Sequence, residues 1–318
     1  MTLVEVYAWF PLWVLRGFVL FFGLIWGSFL NVVIYRVPRE MSVVRPASHC
    51  PGCGKPIAGY DNIPVVSYLL LRGRARCCGT KMSPRYPLVE LLGGLLSVAI
   101  FEAIIIKMPD STPAVRALAV YVADFALCMG LLAAVFIDAE HMFLPDTITI
   151  GGTILGVATA TLRGLPFMQS LIGASAGFIG VWLPFNFLYK RVLGRTGMGL
   201  GDAKLLALAG AWFGWQGAVF VLFAGAFHGL LYVIVLKVLG IEPKLPDSVL
   251  EDHAQLQKEA DEGDEEAKQA LLDDPLAEAH AGARMPFGPF LILACLELLF
   301  AGEWIAAKLG MMLGPLSL

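Results

Sequence analysis

Long apolar runs recur along this chain and constrain it more than any other feature. They cover residues 17–35, 88–106, 117–137, 148–162, 167–189, 203–215, 217–239 and 286–309. A helix that crosses a bilayer needs about 20 mostly apolar residues, so the pattern predicts an all-α polytopic membrane protein of about eight transmembrane helices. Strands of a membrane β-barrel alternate apolar and polar residues, and these runs do not, which excludes that class. Composition agrees: of 318 residues 58% are hydrophobic and only 15% charged, with a mean hydropathy of +0.72. The first run has no charge-rich segment before it and continues into an Arg-rich flank, so it reads as a retained helix and not a cleaved signal.

Charge separates the segments between the runs. Residues 36–90 carry nine Lys or Arg against Glu40, Asp61 and Glu90, whereas residues 241–284 carry thirteen acids against four bases. Basic residues in short loops mark the cytoplasmic side. The 36–87 loop is therefore expected in the cytoplasm, with both termini outside. The expected organisation is a first transmembrane helix (1–35), a cytoplasmic Cys-containing basic domain (36–87), a membrane core (88–240), an acidic cytoplasmic loop (241–284) and a last transmembrane helix (285–318). The acidic loop reads as a solvated linker, with electrostatic attraction of a basic substrate as the sharper alternative. An acidic helix over 249–272 is compatible with its sequence.

Ionisable groups at membrane spans are costly and point to function. Asp138 closes the third run, and Asp202 follows three alternate glycines in Gly197-Met198-Gly199-Leu200-Gly201-Asp202. Two carboxylates brought together share a proton, so that one activates water while the other supports a scissile carbonyl. Such chemistry needs neither metal nor side-chain nucleophile, and it gives a bell-shaped pH profile belonging to the pair. Each residue also has a plain structural alternative, Asp202 as a helix cap and Asp138 as a helix end facing water. Asp124 lies about 21 Å from Asp138 along the same helix and reads as a structural or hydrated position, Asp146 as the cap of the fourth span. Cys50, Cys53, Cys77 and Cys78 fall in the basic loop, where metal binding is favoured over disulfides in a reducing compartment. Cys128 and Cys295 read as packing residues, and Gly93-Gly94 and Gly173 to Gly180 as close-packing surfaces.

Together Gly27-Ser28-Phe29-Leu30-Asn31, the CxxC at Cys50 and Cys53, Asn62-Ile63-Pro64, Arg72-Gly73-Arg74, Ser83-Pro84-Arg85-Tyr86-Pro87, Asp138 to Asp146, Gly199-Leu200-Gly201-Asp202 and Pro286-Phe287-Gly288-Pro289 resemble the bacterial type 4 prepilin peptidases. The motifs follow the family's order over about residues 17 to 300. The resemblance implies a GxGD aspartic protease of the inner membrane, with its active site facing the cytoplasm and Asp138 and Asp202 as its catalytic pair. Prepilins and pseudopilins are then the substrates, and S-adenosylmethionine donates a methyl group to the new N-terminal amine. Gly73 and Arg74 fall where the family links a Gly-basic pair to methylation, although Lys is common at the second position. Family members commonly carry two CxxC pairs suited to zinc. Here Ala75 stands at the expected third cysteine, and Cys77 is added beside Cys78. Glu90 and Asn31 are candidates for supporting the methylation or leader site, or for a hydrogen-bonded structural role.

Two other readings compete. A presenilin-like protease would pair its GxGD aspartate with Tyr-Asp and Pro-Ala-Leu motifs, whereas here Ile137 precedes Asp138. A proton-coupled transporter would use the aspartates as a relay. GMGLGD is no dinucleotide fingerprint, because no strand precedes it, and nothing indicates a nucleic-acid partner.

Overall fold

The computed structural model describes residues 1–193, 198–241, 245–265, 267, 268, 271 and 285–310, the side chains of Leu193 and Leu309 apart. Arg195, Gly197, Pro243, Pro275 and much of the acidic 241–284 segment lie outside the described residues.

The chain is all-helical. The helices given by the described residues are α1 (Leu3–Trp9), α2 (Leu12–Arg36), α3 (Val66–Leu70), α4 (Arg85–Ile100), α5 (Ala114–His141), α6 (Asp146–Thr159), α7 (Phe167–Val181), α8 (Tyr189–Leu193), α9 (Leu200–Leu239), α10 (Asp247–Asp261) and α11 (Gly288–Leu309). Among the described residues there are isolated β-bridges but no strands. Prolines set several starts: Pro11, Pro113, Pro145, Pro166 and Pro246 each stand immediately before a helix, where a missing N–H costs nothing.

Among the described residues six helices are long and apolar enough to cross a membrane, against about eight expected: Leu12–Arg39, Arg85–Ile105, Ala114–His141, Phe167–Val192, Leu200–Leu239 and Gly288–Lys308. The difference has two sources. α6 has only 14 residues, and the expected runs 203–215 and 217–239 are joined in the single 40-residue α9.

That long helix is not straight. Gly214 adopts φ 72° and ψ 178° in its middle, a conformation that favours glycine. The contacts fix its course. Gly201 abuts Leu144, which also meets Gly288, so the start of α9 and the start of α11 lie at one end. Gly217 faces Leu298, Gly225 faces Leu291 and Gly229 faces Phe287, so the 215–239 arm runs antiparallel to α11 and returns to that same end. The chain therefore reverses at Gly214, and α9 is a helical hairpin.

Packing is organised around α5, the most buried of the long helices. One apolar cluster joins its Leu127, Leu131 and Ala134 to Trp212, Leu206 and Leu291. The other joins Cys128, Leu132 and Ile137 to Ile34, Val89 and Ile100. Small residues bring the backbones together, as in membrane helices generally. Gly173 meets Gly210, Gly177 meets Leu206, and Gly23 meets Gly93 and Gly94, while Gly180 faces open space. Arg16 pairs with Glu102 at 2.6 Å. Phe18, Phe21, Phe223, Phe227 and Val238 remain exposed on the outside, an apolar girdle suited to lipid and unsuited to water.

Candidate functional site

Asp138 lies in the last turn of α5, which continues past the expected end of the run to His141. Met142 then takes a left-handed conformation and donates its N–H to the Asp138 carbonyl. The chain turns through Leu144 and Pro145 into α6. Leu144 wedges between Gly201 and Gly288, so one side chain draws the starts of α9 and α11 against the end of α5. Both glycines have a steric reason: a Cβ on Gly288 would sit 2.5 Å from Asp138 Oδ2, and one on Gly201 would sit 3.2 Å from the Leu144 Cβ.

Each carboxylate is held by a glycine amide. The Gly288 N–H donates to Asp138 Oδ2 at 3.0 Å, and the Gly199 N–H donates to the Asp202 carboxylate. Asp138 is buried, Asp202 is partly buried, and the two interact electrostatically. The helix cap at this end is Gly199. Asp202 sits in the first turn, where the helix dipole favours a negative charge. Asp146 is likewise not the side-chain cap expected of it, because Pro145 holds that position and Asp146 pairs with Lys204 at 2.6 Å. Arg85 forks onto both carboxylate oxygens of Glu140, two residues beyond Asp138, and the Ser248 hydroxyl donates to the Glu140 carbonyl. α4 and the start of the acidic segment thereby dock beside the pair.

The four cysteines converge. Their sulfurs all lie within 4.8 Å of one another, with Cys50 buried and the other three exposed. The closest approaches are Cys53 to Cys77 at 3.3 Å and Cys50 to Cys78 at 3.6 Å, far beyond a disulfide of about 2.05 Å. Four thiolates around zinc at about 2.3 Å stand ~3.8 Å apart by tetrahedral geometry, so the set fits such an ion.

Its backbone explains how. Cys50 N–H donates to the Lys55 carbonyl and Gly54 N–H to the Cys50 carbonyl, at 2.8 and 2.9 Å. Ala75 N–H donates to the Thr80 carbonyl and Gly79 N–H to the Ala75 carbonyl, at 2.9 and 2.8 Å. The two turns are equivalent, with Cys53 matching Cys78 and Ala75 taking the place of Cys50. Cys77, one position before Cys78, brings the fourth sulfur. Hydrogen bonds to Cys53 and Cys50 push the Cys77 thiol up to about 12, whereas those from Thr80 pull Cys78 down to about 6.

Gly73 and Arg74 lie at the root of the second turn. Gly73 has φ 68°, its carbonyl accepts the Met82 N–H at 2.8 Å, and a Cβ there would press on the Tyr68 hydroxyl. Glu90 accepts the Val65 N–H at 2.7 Å and a hydrogen bond from Ser28. Asn31 donates to the Tyr86 carbonyl at 3.1 Å. Cys128 and Cys295 are fully buried in the apolar clusters. Sequence reasoning missed Leu144 and the amides of Gly199 and Gly288. The two glycines stood in quoted motifs, but only the packed end of the bundle gives their N–H groups a partner.

The protein families these features recur in are known. Residues 21–104 match the bacterial peptidase A24 N-terminal domain and residues 125–234, which include both aspartates, match the type IV leader peptidase family. The helical bundle thus belongs to a class of integral-membrane peptidases. A prepilin leader peptidase/N-methyltransferase of Myxococcus xanthus (strain DK1622) is 36% identical over 96% of this chain and 96% of its own length. Proteins of the same name from Neisseria gonorrhoeae and Klebsiella pneumoniae are 37% and 38% identical, over 68% and 67% of this chain and 80% and 91% of their own. The chain belongs to the type IV leader peptidase family. No solved structure matches it.

Proposed function

We propose that this enzyme removes the leader of type 4 prepilins and pseudopilins with Asp138 and Asp202 as its catalytic pair, and then methylates the new N-terminal amine. The convergence of the two carboxylates at one end of the bundle, each on a glycine amide, carries this reading. The pair holds one proton. The ionised carboxylate takes a proton from water as the water oxygen attacks the scissile carbonyl, and its protonated partner hydrogen-bonds to the carbonyl oxygen. Collapse of the tetrahedral intermediate breaks the C–N bond, and a carboxylic proton passes to the leaving amine. The Gly288 and Gly199 N–H groups keep both carboxylates in place throughout.

S-adenosylmethionine supplies the methyl group, and Gly73 and Arg74 are its candidate methylation-linked positions. Cys50, Cys53, Cys77 and Cys78 hold a zinc ion that staples the 36–87 domain. The bundle crosses the bacterial inner membrane eight times, with α6 and the 200–213 arm of α9 as short crossings. Reversal at Gly214 supports that count. The aspartate end faces the cytoplasm, a reading supported by the nine basic residues of the 36–87 loop.

Mass spectrometry of a prepilin-like peptide incubated with the full-length protein and S-adenosylmethionine tests the reading. Leader loss plus the mass of one methyl group is expected, with no cleavage by Asp138→Asn or Asp202→Asn. Cleavage surviving in both variants overturns the aspartic mechanism.

A further inference from the structure

At the other end of the bundle, away from both aspartates, a cavity of about 220 Å³ opens between α5, the tip of α9, α11 and the 103–107 segment that follows α4. Its volume is on the order of seven waters' share of the liquid. Its polar lining is Lys107, Asp124, Arg163 and Glu303, two charges of each sign. Asp124 is 2% exposed, and its Oδ1 has no hydrogen-bond partner among the described residues. An orphaned buried carboxylate oxygen of this kind calls for a donor.

Arg163 is not that donor, although the two charges interact. Its guanidinium bonds the Trp212 carbonyl at 3.0 Å, the Gly156 carbonyl at 2.7 Å and the Thr159 hydroxyl at 3.2 Å, and it stacks 4.0 Å over the Trp212 ring. Three of its five N–H donors are thus used, and the others remain for an acceptor in the cavity. Lys107 and Glu303 form no ion pair among the described residues. The remaining wall is apolar, including Ile104, Leu299 and Phe300, and Trp304 stands exposed at the edge, as tryptophans do at a membrane interface.

We propose that this cavity binds the headgroup of a zwitterionic aminophospholipid. The primary ammonium donates to Asp124, with Glu303 beside it, and the phosphate accepts from Arg163 and Lys107. The lipid tails leave along the apolar wall. A balanced set of charges favours a zwitterion over an anionic headgroup, which would leave Asp124 without a donor. A primary ammonium is favoured over a choline, which has no N–H to give.

Native mass spectrometry of the full-length protein, released from nanodiscs containing equal phosphatidylethanolamine, phosphatidylglycerol and phosphatidylcholine, tests the site. Phosphatidylethanolamine is expected to be retained at least fivefold over the others, with that preference lost in Asp124→Asn. Glu303→Gln and Lys107→Gln, both at exposed positions, are expected to weaken retention with the melting temperature unchanged, and they decide the matter if Asp124→Asn does not fold. Equal retention of the three lipids, a preference for phosphatidylglycerol, or a preference untouched by these variants overturns the proposal and leaves a hydrated ion pair.

Discussion

Replacing Gly288 by Ala adds a single methyl group at the most crowded point of the aspartate site. Its carbon would fall 2.5 Å from Asp138 Oδ2 and 3.1 Å from Leu144 Cδ2. A carbon and an oxygen approach to about 3.3 Å even in a favourable contact, so the carboxylate must retreat by roughly 0.8 Å. That retreat stretches the 3.0 Å bond from the Gly288 N–H. A hydrogen bond to a charged group is worth about 1.5–3 kcal/mol, and each 1.36 kcal/mol of barrier is about tenfold in rate. The expected result is a kcat for leader cleavage lower by roughly 10- to 100-fold, with KM little changed. Gly199→Ala provides an internal scale, because its methyl would lie 3.2 Å from Asp202 Oδ2 and asks for almost no movement. It should lose less than about tenfold. Both variants are assayed by mass spectrometry on purified full-length protein, beside a melting curve to confirm the fold. A Gly288→Ala enzyme within twofold of the wild type, or one more active than Gly199→Ala, would refute the argument that this amide positions Asp138.

Two further outcomes are expected. Gly210→Ala places a methyl group against the Gly173 carbonyl, which is backbone and has no rotamer to swing aside. It should cost about 2–3 kcal/mol and lower the melting temperature in detergent, whereas Gly180→Ala, facing open space, should not. Cys77→Ser should abolish stoichiometric zinc binding measured by elemental analysis while leader cleavage persists. Adding Ala75→Cys to it should restore the metal, because residue 75 occupies the backbone position of Cys50 in the matching turn. Failure of that rescue would show that the two turns are not interchangeable.

The apolar runs determined the helical membrane class without any tertiary information, since a segment that long and apolar has no other way to satisfy its backbone in lipid. Asp138 and Asp202 stood out for a related reason: a carboxylate bordering such a run is expensive, and the structure brings the two to one end of the bundle. Local chemistry likewise marked the cysteines, but spacing alone left open how Cys77 and Cys78 share one cluster. Only the pairing of two equivalent turns brought the fourth sulfur in. The break between the runs 203–215 and 217–239 was legible in the sequence, but the reversal at Gly214 that makes it was not, because hydropathy carries no record of φ. What Leu144, Gly199 and Gly288 do for the aspartates, and why Asp124 and Arg163 share a cavity without a direct bond, depended on helices distant in sequence. Those relations are distances between packed backbones, set by where glycines let helices touch, and tertiary structure alone decided them.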